Sequence, residues 1–182
     1  MRTARLTEVY DVELRHTLFP LHPDTPPEGL TLAALFGPGA DVAAMHERMS
    51  RLMEEEGLPY GSRTHTFNSR KAQELAKWAE SQPGGEGIHA ALYESYFVRG
   101  ENLADPAVLA EVVRRLELDE GPALQALEAG DYVADVDRDW DRARSLGVTG
   151  VPTFLAGRYG VVGAQGYDVL ERLVLEGGAQ AR

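Results

Sequence analysis

The chain has 182 residues, enough for one domain with an elaboration or for two small domains. Hydrophobic residues make up 43% and charged residues 26%, which is ordinary for a globular protein with a substantial core. The formal net charge of −11 argues against nonspecific binding to nucleic acid or anionic membranes, because both require a positive surface. The absence of cysteine excludes structural disulfides, thiolate metal sites and thiol chemistry by these residues alone.

Location and metal binding are also constrained by the sequence. No apolar run approaches the roughly 20 residues of a membrane-spanning helix. Residues 1–14 lack the apolar stretch of a secretory signal, so a cytoplasmic location is expected. No metal site is predicted, because no two histidines have a metal-ligand spacing with a carboxylate partner. The histidines are His16, His22, His46, His65 and His89.

The first elements along the chain are a helix end, a strand and a loop. Leu6 and Val9, three residues apart, are typical of the last turns of a helix. Apolar residues then recur among polar ones from Val12 to Leu18, which predicts a strand. Residues 20–29, PLHPDTPPEG, contain four prolines and form an extended loop.

The middle of the chain is predicted to be helical from about Leu32 onwards. Asp41, Asn68 and Asp105 are the residue types that cap helix N-termini. Met45, Met49 and Met53 recur at helical spacing and are expected to pack in the core; lining of an adaptable substrate groove is the alternative. Further helices are predicted at about 122–129 and 131–146.

The C-terminal part has strand character again. The runs VPTFLA and YGVVGA, separated by GR, predict a β-hairpin, and residues 166–176 predict a last helix. The strands at the two ends of the chain are expected to share one sheet, because neither is stable alone. We therefore predict an α/β domain formed by residues 1–30 and 133–182, with an inserted helical domain at residues 31–132.

The sharpest local feature is the segment TGVPTF, residues 149–154. Only X–Pro bonds adopt the cis form at tolerable cost. A cis bond would turn the backbone N–H and C=O of Val151 towards an extended peptide lying alongside. Alternatively, Pro152 is a trans proline at the first residue of a strand, where proline is tolerated.

Four ordered segments resemble the DsbA-like oxidoreductases of the FrnE type, which are related to the 2-hydroxychromene-2-carboxylate isomerases of the glutathione transferase kappa class. The segments are FPLHPDTPPEG, FNSRKAQELAKWAE, YESYFVRGENLADPAVLAEVV and GVTGVPTFLAGRYGVVGAQ. The resemblance spans about residues 10–176. It implies an α/β fold, a thioredoxin-like (DsbA-like) domain with a large α-helical insertion. It also implies that Gly150, Val151 and Pro152 form the cis-proline loop opposite the active site.

The sequence departs from the FrnE pattern at the active site itself. In FrnE-type proteins a C-P-W-C-type motif follows the first strand and opens the first helix, whose N-terminus lowers the thiol pKa. This sequence begins in the later part of that helix. The absent strand would lie between residues 12–18 and 151–156, so a gap with unpaired backbone groups is expected. We expect that a longer natural protein carries the cysteines upstream; the alternative is a short, redox-dead variant that pairs differently or dimerises.

The resemblance implies a thiol–disulfide oxidoreductase or isomerase that is redox-inactive in the chain as given. Its substrates would be thiol- or disulfide-containing peptides or proteins, or glutathione, with no other cofactor, no nucleic acid and no membrane. Two alternatives stay open: a glutathione-dependent isomerase with an upstream serine, and a redox-dead module that clamps extended peptide. An unfilled gap in the sheet would favour a homodimer.

Four further residues are candidates for substrate binding, and each has a structural alternative. Asn68 and Gln165 could instead cap helices, and Phe19 and Trp78 could instead pack between the insertion and the sheet. In the family the matching region around Phe19, Asn68 and Trp78 faces the active-site cleft. Gln165 lies in a segment that resembles the family's approach to the last helix.

Overall fold

The computed structural model describes residues 2–182 and divides into two compact units. The first unit comprises the chain up to Leu21 together with Asp139–Arg182, and the second comprises His22–Arg138. The helices are α1 (Arg2–Val9), α2 (Leu32–Phe36), α3 (Val42–Glu55), α4 (Arg70–Glu80), α5 (Ile88–Tyr93), α6 (Pro106–Arg115), α7 (Glu120–Ala129), α8 (Val133–Ser145) and α9 (Tyr167–Glu176). The strands are β1 (Leu30–Thr31), β2 (His65–Thr66), β3 (Thr153–Ala156) and β4 (Tyr159–Val162).

The first unit contains a β-hairpin, helices α1 and α9, and the C-terminal part of α8. β3 and β4 pair antiparallel, from Thr153 opposite Val162 to Ala156 opposite Tyr159, as the sequence predicts. Gly157 opens the two-residue turn with φ of 59°, a left-handed conformation that favours glycine. α9 packs against both strands and against α1. The small core of the first unit is formed by buried Leu6, Tyr10 and Leu170.

Residues 12–18 belong to no strand, so the predicted strand is wrong. The predicted common sheet is wrong as well, because β3 pairs only with β4 among the strands of residues 2–182. A strand is stabilised by its neighbours. The apolar alternation from Val12 to Leu18 therefore does not by itself make a strand, because it supplies no hydrogen-bonding partner.

The second unit is built around a core of helices α4 to α7. Leu75, Ile88, Leu109, Val112 and Val113 have at most 1% of their surface exposed. The small antiparallel pair β1–β2 lies in the same unit. Residues 94–98 form a π-helix that continues directly from α5.

Two of the three predicted helix caps have the expected geometry. The Asp41 carboxylate accepts a hydrogen bond from the Ala44 N–H at 2.9 Å, and Asp105 accepts one from the Ala107 N–H at 2.8 Å. Helix α4 differs, because its N-cap residue is Ser69, whose side chain makes no capping bond. Asn68 instead accepts from the Arg70 N–H at 2.9 Å, one position upstream of the cap.

The methionine stripe on α3 is not core. Met45 and Met49 are 44% and 38% exposed, and α3 contains no fully buried residue. Met53 faces inwards, where its sulfur accepts a hydrogen bond from the Tyr93 hydroxyl at 3.4 Å. Helical periodicity indicates which face is apolar, but it does not show that another element covers that face.

Hydrogen bonds explain where the two units divide. The Asn68 amide donates to the carbonyls of Pro23 and Thr25, and the Asn102 amide donates to that of Pro27. These bonds attach the proline-rich loop to the helical unit. The boundary therefore lies between residues 21 and 22, whereas the sequence predicts it at 30 and 31.

At the other boundary, Arg70 holds the start of α8 against α4. Its guanidinium donates to the Val133 carbonyl at 2.9 Å and pairs with Asp137 at 2.8 Å. The division accordingly falls between residues 138 and 139, within α8, and the predicted position is between 132 and 133. Among residues 2–182, no helix is both long and apolar enough to cross a bilayer.

Candidate functional site

The loop that contains the Val151–Pro152 bond joins α8 to β3 in the first unit. The bond is cis. The Thr153 hydroxyl donates to the Gly150 carbonyl at 2.7 Å, which ties the loop to the start of the strand. The Gly163 N–H donates to the Pro152 carbonyl at 2.8 Å and extends the pairing of the hairpin by one residue. The loop is therefore fixed on both sides of Val151.

Val151 is presented to solvent by this loop. Its surface is 48% exposed, and Pro152 is also exposed. Within residues 2–182, the N–H and C=O of Val151 have no hydrogen-bond partner. Unpaired backbone groups next to a strand can pair with an extended peptide by strand addition. Val151 therefore offers one donor and one acceptor to such a ligand.

A groove of about 580 Å³ lies beside the loop, within the first unit. One wall contains residues 11–15 and 17, which belong to no helix or strand, and another wall is β3. Apolar side chains from α1, α8 and α9, and Leu146 just after α8, also line it: Leu6, Ala143, Leu146, Leu170, Leu173 and Val174. Val151 and Phe19 line the groove as well. The groove is thus lined by residues from both of the segments 12–18 and 151–156.

The unpaired edge of β3 faces away from β4. Because the Pro152 carbonyl pairs with Gly163, the backbone groups of Phe154 and Ala156 also point towards β4, and those of Thr153 and Leu155 point to the other side. In residues 2–182, the N–H and C=O groups of Thr153 and Leu155 accordingly have no partner.

The charged groups of the groove lie at its rim. Arg15 donates two hydrogen bonds of 3.0 Å to the Glu13 carboxylate, and both side chains are exposed. These hydrogen bonds and the attraction between the charges lower the pKa of Glu13 and raise that of Arg15. The pair stays ionised at neutral pH and its charges cancel.

The predicted site residues divide between the two units. Gly150, Val151, Pro152, Phe19 and Gln165 lie in the first unit. Gln165 does not cap α9. Its side chain donates to the Val162 carbonyl at 2.6 Å, and the helix begins after Gly166 without a side-chain cap.

Asn68 and Trp78 lie in the second unit, where both have structural roles. The Asn68 side chain is occupied by its hydrogen bonds to Pro23, Thr25 and Arg70. Trp78 is 5% exposed and packs in the helical core, so little of its ring can contact a ligand. The structural alternative, in which Trp78 packs between the insertion and the sheet, is also wrong, because Trp78 packs within the insertion.

Sequence reasoning did not identify Leu14 and Leu155 as site residues. Both line the groove, with 47% and 50% of their surface exposed. Their signal in the sequence is the alternation within VELR and TFLA, which indicates a strand but not a contact with a ligand. Among residues 2–182, no three His, Asp or Glu side chains are placed to hold a metal ion. The Val151 backbone leaves one donor and one acceptor unpaired among residues 2–182, and the chain has no cysteine with which to exchange disulfides.

Comparison with known proteins gives a family for the fold. The model of the DSBA-like thioredoxin domain matches residues 1–174. The chain is also similar to the crystal structure of a probable DsbA oxidoreductase from Streptomyces coelicolor, with a TM-score of 0.85 and 25% identity. That match covers 97% of this chain and 82% of the other. A comparison with curated proteins gave no match.

These matches confirm the predicted thioredoxin-like α/β fold with its large helical insertion. The chain belongs to the DSBA-like thioredoxin domain family.

Proposed function

We propose that this chain is the substrate-binding part of a FrnE-type thiol–disulfide oxidoreductase or isomerase whose dithiol lies outside these 182 residues. The observation that carries the proposal is the Val151 backbone, exposed and unpartnered in a loop fixed on both sides. The family match supports the same class of activity. The ligand would be a thiol- or disulfide-containing peptide, or glutathione.

In this proposal the residues of the chain bind and orient the substrate. Val151 would donate its N–H to a substrate carbonyl and accept from a substrate N–H, which aligns the substrate as an added strand. An upstream thiolate would then attack one sulfur of the substrate disulfide. A mixed disulfide forms, the other substrate sulfur leaves as a thiolate, and a second thiol resolves the mixed disulfide. In total, the dithiol is oxidised and the substrate disulfide is reduced.

The binding half of the proposal is tested on the chain as it exists. The probe is a short extended peptide that contains one intramolecular disulfide, titrated by isothermal calorimetry. We expect Pro152→Ala to abolish or strongly weaken binding, because Pro152 orients the Val151 backbone. Pro83→Ala, at an exposed proline in the other unit, is the matched control and should bind like the wild type. Equal affinity of the two variants would show that the loop is only structural.

The chemical half is tested separately. The chain as given should not reduce insulin above background, because it contains no cysteine. The genomic DNA read in frame upstream of the first codon gives the decisive result. A strand-like run followed by C-x-x-C supports the dithiol. A serine at the first cysteine position would instead indicate the glutathione-dependent isomerase. An in-frame stop would indicate a redox-dead module.

A further inference from the structure

We propose that the outer face of α3, formed by Met45, Arg48, Met49 and Leu52, docks an amphipathic helix of another protein that carries a carboxylate among its apolar residues. This inference goes beyond the proposed function, because α3 lies in the second unit and the Val151 loop lies in the first. The chemistry of the partner follows from the attachment of α3, from the side chains that its outer face exposes and from the charge within that face.

Helix α3 is attached to the second unit through one side. The His46 Nε2–H donates to the Arg63 carbonyl at 2.6 Å, and two turns later the Met53 sulfur accepts from the Tyr93 hydroxyl. Apart from His46, Met53 and Val42, which are partly buried, every residue of α3 is exposed. The outer face is therefore open to solvent within the part of the chain that the structure describes.

The outer face is mainly apolar. Met45, Met49 and Leu52 follow one another at intervals of four and three residues, which places them on one face of the helix. Each of these side chains is between 36% and 44% exposed. Methionine side chains are flexible and polarisable, and they recur at surfaces that adapt to a partner. The outer face is therefore suited to packing against the apolar side chains of a partner.

Arg48 lies within this apolar surface without a counter-charge. The residues three and four positions away on either side are alanine, methionine, arginine and leucine, so no carboxylate is at helix-contact spacing. The neighbouring Arg51 is paired with Glu47 at 2.9 Å, whereas Arg48 has no ion pair or hydrogen bond from its side chain within residues 2–182. A partner that covers Arg48 removes its water, which is costly unless the partner supplies a negative charge. The face is therefore complementary to a carboxylate surrounded by apolar groups.

The backbone of α3 limits the form of the partner. The N–H and C=O groups inside a helix are paired within it, so its face offers side chains only. An extended peptide on this face would lose water from its own backbone groups without gaining hydrogen bonds. A helix satisfies its own backbone and presents side chains at the same spacing, which pack between those of α3. An amphipathic helix is therefore the favoured partner.

A second copy of the chain does not supply the required charge through the same face. An antiparallel pair that sets Met45 opposite Leu52 of the other copy has its two-fold axis between residues 48 and 49. The two Arg48 side chains would then lie beside the axis and repel each other, and a parallel pair sets them directly opposite. The charge of Arg48 thus favours a partner of different sequence.

The test uses a capped helical peptide of about 18 residues, because shorter isolated helices are marginal in water. In an alanine–glutamine background, three leucines and one glutamate take the spacing of the apolar residues and the arginine of the outer face. Binding to the whole chain is followed by NMR of isotope-labelled methionine methyl groups. We expect the Met45 and Met49 signals to shift on titration, and the signal of the inward-facing Met53 to shift less. A peptide with glutamine in place of the glutamate should bind at least fivefold more weakly.

Reversing the charge locates the site. Arg48→Glu should weaken binding of the glutamate peptide at least tenfold, and a peptide with lysine in place of the glutamate should bind this variant within threefold of the original affinity. Arg172→Glu is the matched control, since Arg172 is also exposed on a helix and has no ion pair within residues 2–182, but it lies on α9 in the first unit. It should bind the glutamate peptide like the wild type. Equal weakening by the two substitutions would show that net charge alone attracts the peptide, and would overturn the proposed location.

Three other outcomes would overturn the proposal. Unchanged Met45 and Met49 signals at millimolar peptide would exclude docking on the outer face. Equal affinity for the glutamate and glutamine peptides would exclude the carboxylate as the partner of Arg48. Shifts of the Met45 and Met49 signals that accompany a dimer without peptide, seen by light scattering, would assign the face to a second copy.

Discussion

The close approach of α9 to β3 gives a stability prediction for the unit that contains the groove. A Cβ atom added at Gly177 would lie 2.7 Å from the Ala156 Cβ and 3.1 Å from the Ala156 carbonyl carbon. Carbon atoms in ordinary contact are about 3.5–4.0 Å apart. Gly177 has φ of −71°, which any residue adopts, so Gly177→Ala introduces steric overlap without backbone strain.

The expected cost follows from two opposing effects. Overpacking of this kind costs about 1–3 kcal/mol, because the helix end must move away from the strand. Glycine-to-alanine substitution also restricts the unfolded chain, which returns about 0.4–1 kcal/mol. We therefore expect Gly177→Ala to lower the free energy of unfolding of the first unit by about 1–2 kcal/mol.

Hydrogen exchange of the Phe154 and Val161 amides, which pair across the hairpin, measures this free energy locally. Gly39→Ala is the control, because its Cβ would meet no atom within 4 Å, and it should be neutral or slightly stabilising. The double variant Gly177→Ala/Ala156→Gly removes the closest contact and should recover part of the loss. If Gly177→Ala exchanges like the wild type, α9 does not end against β3 and the shape assigned to the groove is wrong.

Three predictions concern the helical unit. Leu75→Ala removes three carbons from a fully buried position and should cost about 3 kcal/mol in urea unfolding, whereas Leu52→Ala, 36% exposed, should cost under about 1 kcal/mol. Asp105→Ala removes the N-cap of α6 and should cost about 1 kcal/mol by the same measurement. Burial alone would raise the pKa of Glu101, but hydrogen bonds from Ser95 and Arg115 lower it. The stabilisation that the ionised Glu101 carboxylate adds to the free energy of unfolding should be complete above about pH 4.5 and lost as the pH falls through the folded pKa. Glu101→Gln should therefore reduce the loss of stability that the wild type shows at acidic pH.

Each of these three predictions is contradicted by a specific result. Equal losses for the two leucine variants would show that α4 is not the centre of the core. An unchanged Asp105→Ala variant would mean that the cap is replaced by water. An acid limb unaffected by Glu101→Gln would place the titrating carboxylate elsewhere.

The sequence was informative wherever local chemistry decides structure. Asp41 and Asp105 cap the helices they precede, since a short acidic side chain satisfies a free backbone N–H at that position. The GR turn closes the predicted hairpin because glycine tolerates a positive φ.

Features that depend on distant neighbours were not predictable from local pattern. The Val12–Leu18 alternation has the form of a strand, but pairing requires an adjacent backbone, which the described residues do not provide. Trp78 and Asn68 were candidates for the site by resemblance, and their burial and hydrogen bonds in the helical unit became visible only in three dimensions. The groove itself depends on which backbone groups remain unpaired, and residue type alone does not determine that.

The connection of the first unit through both ends of the chain has a consequence for its synthesis. The Arg182 N–H donates to the Val9 carbonyl at 3.0 Å, and the Arg182 side chain donates to the Tyr10 carbonyl, 172 residues away in sequence. At ~5–20 residues per second, translation of that interval takes roughly 10–30 s. The contiguous helical unit, His22–Arg138, can fold on the ribosome during this time. Leu6 and Tyr10 must meanwhile remain without Leu170, the buried partner that α9 supplies, so chaperones would encounter these two side chains before α9 does.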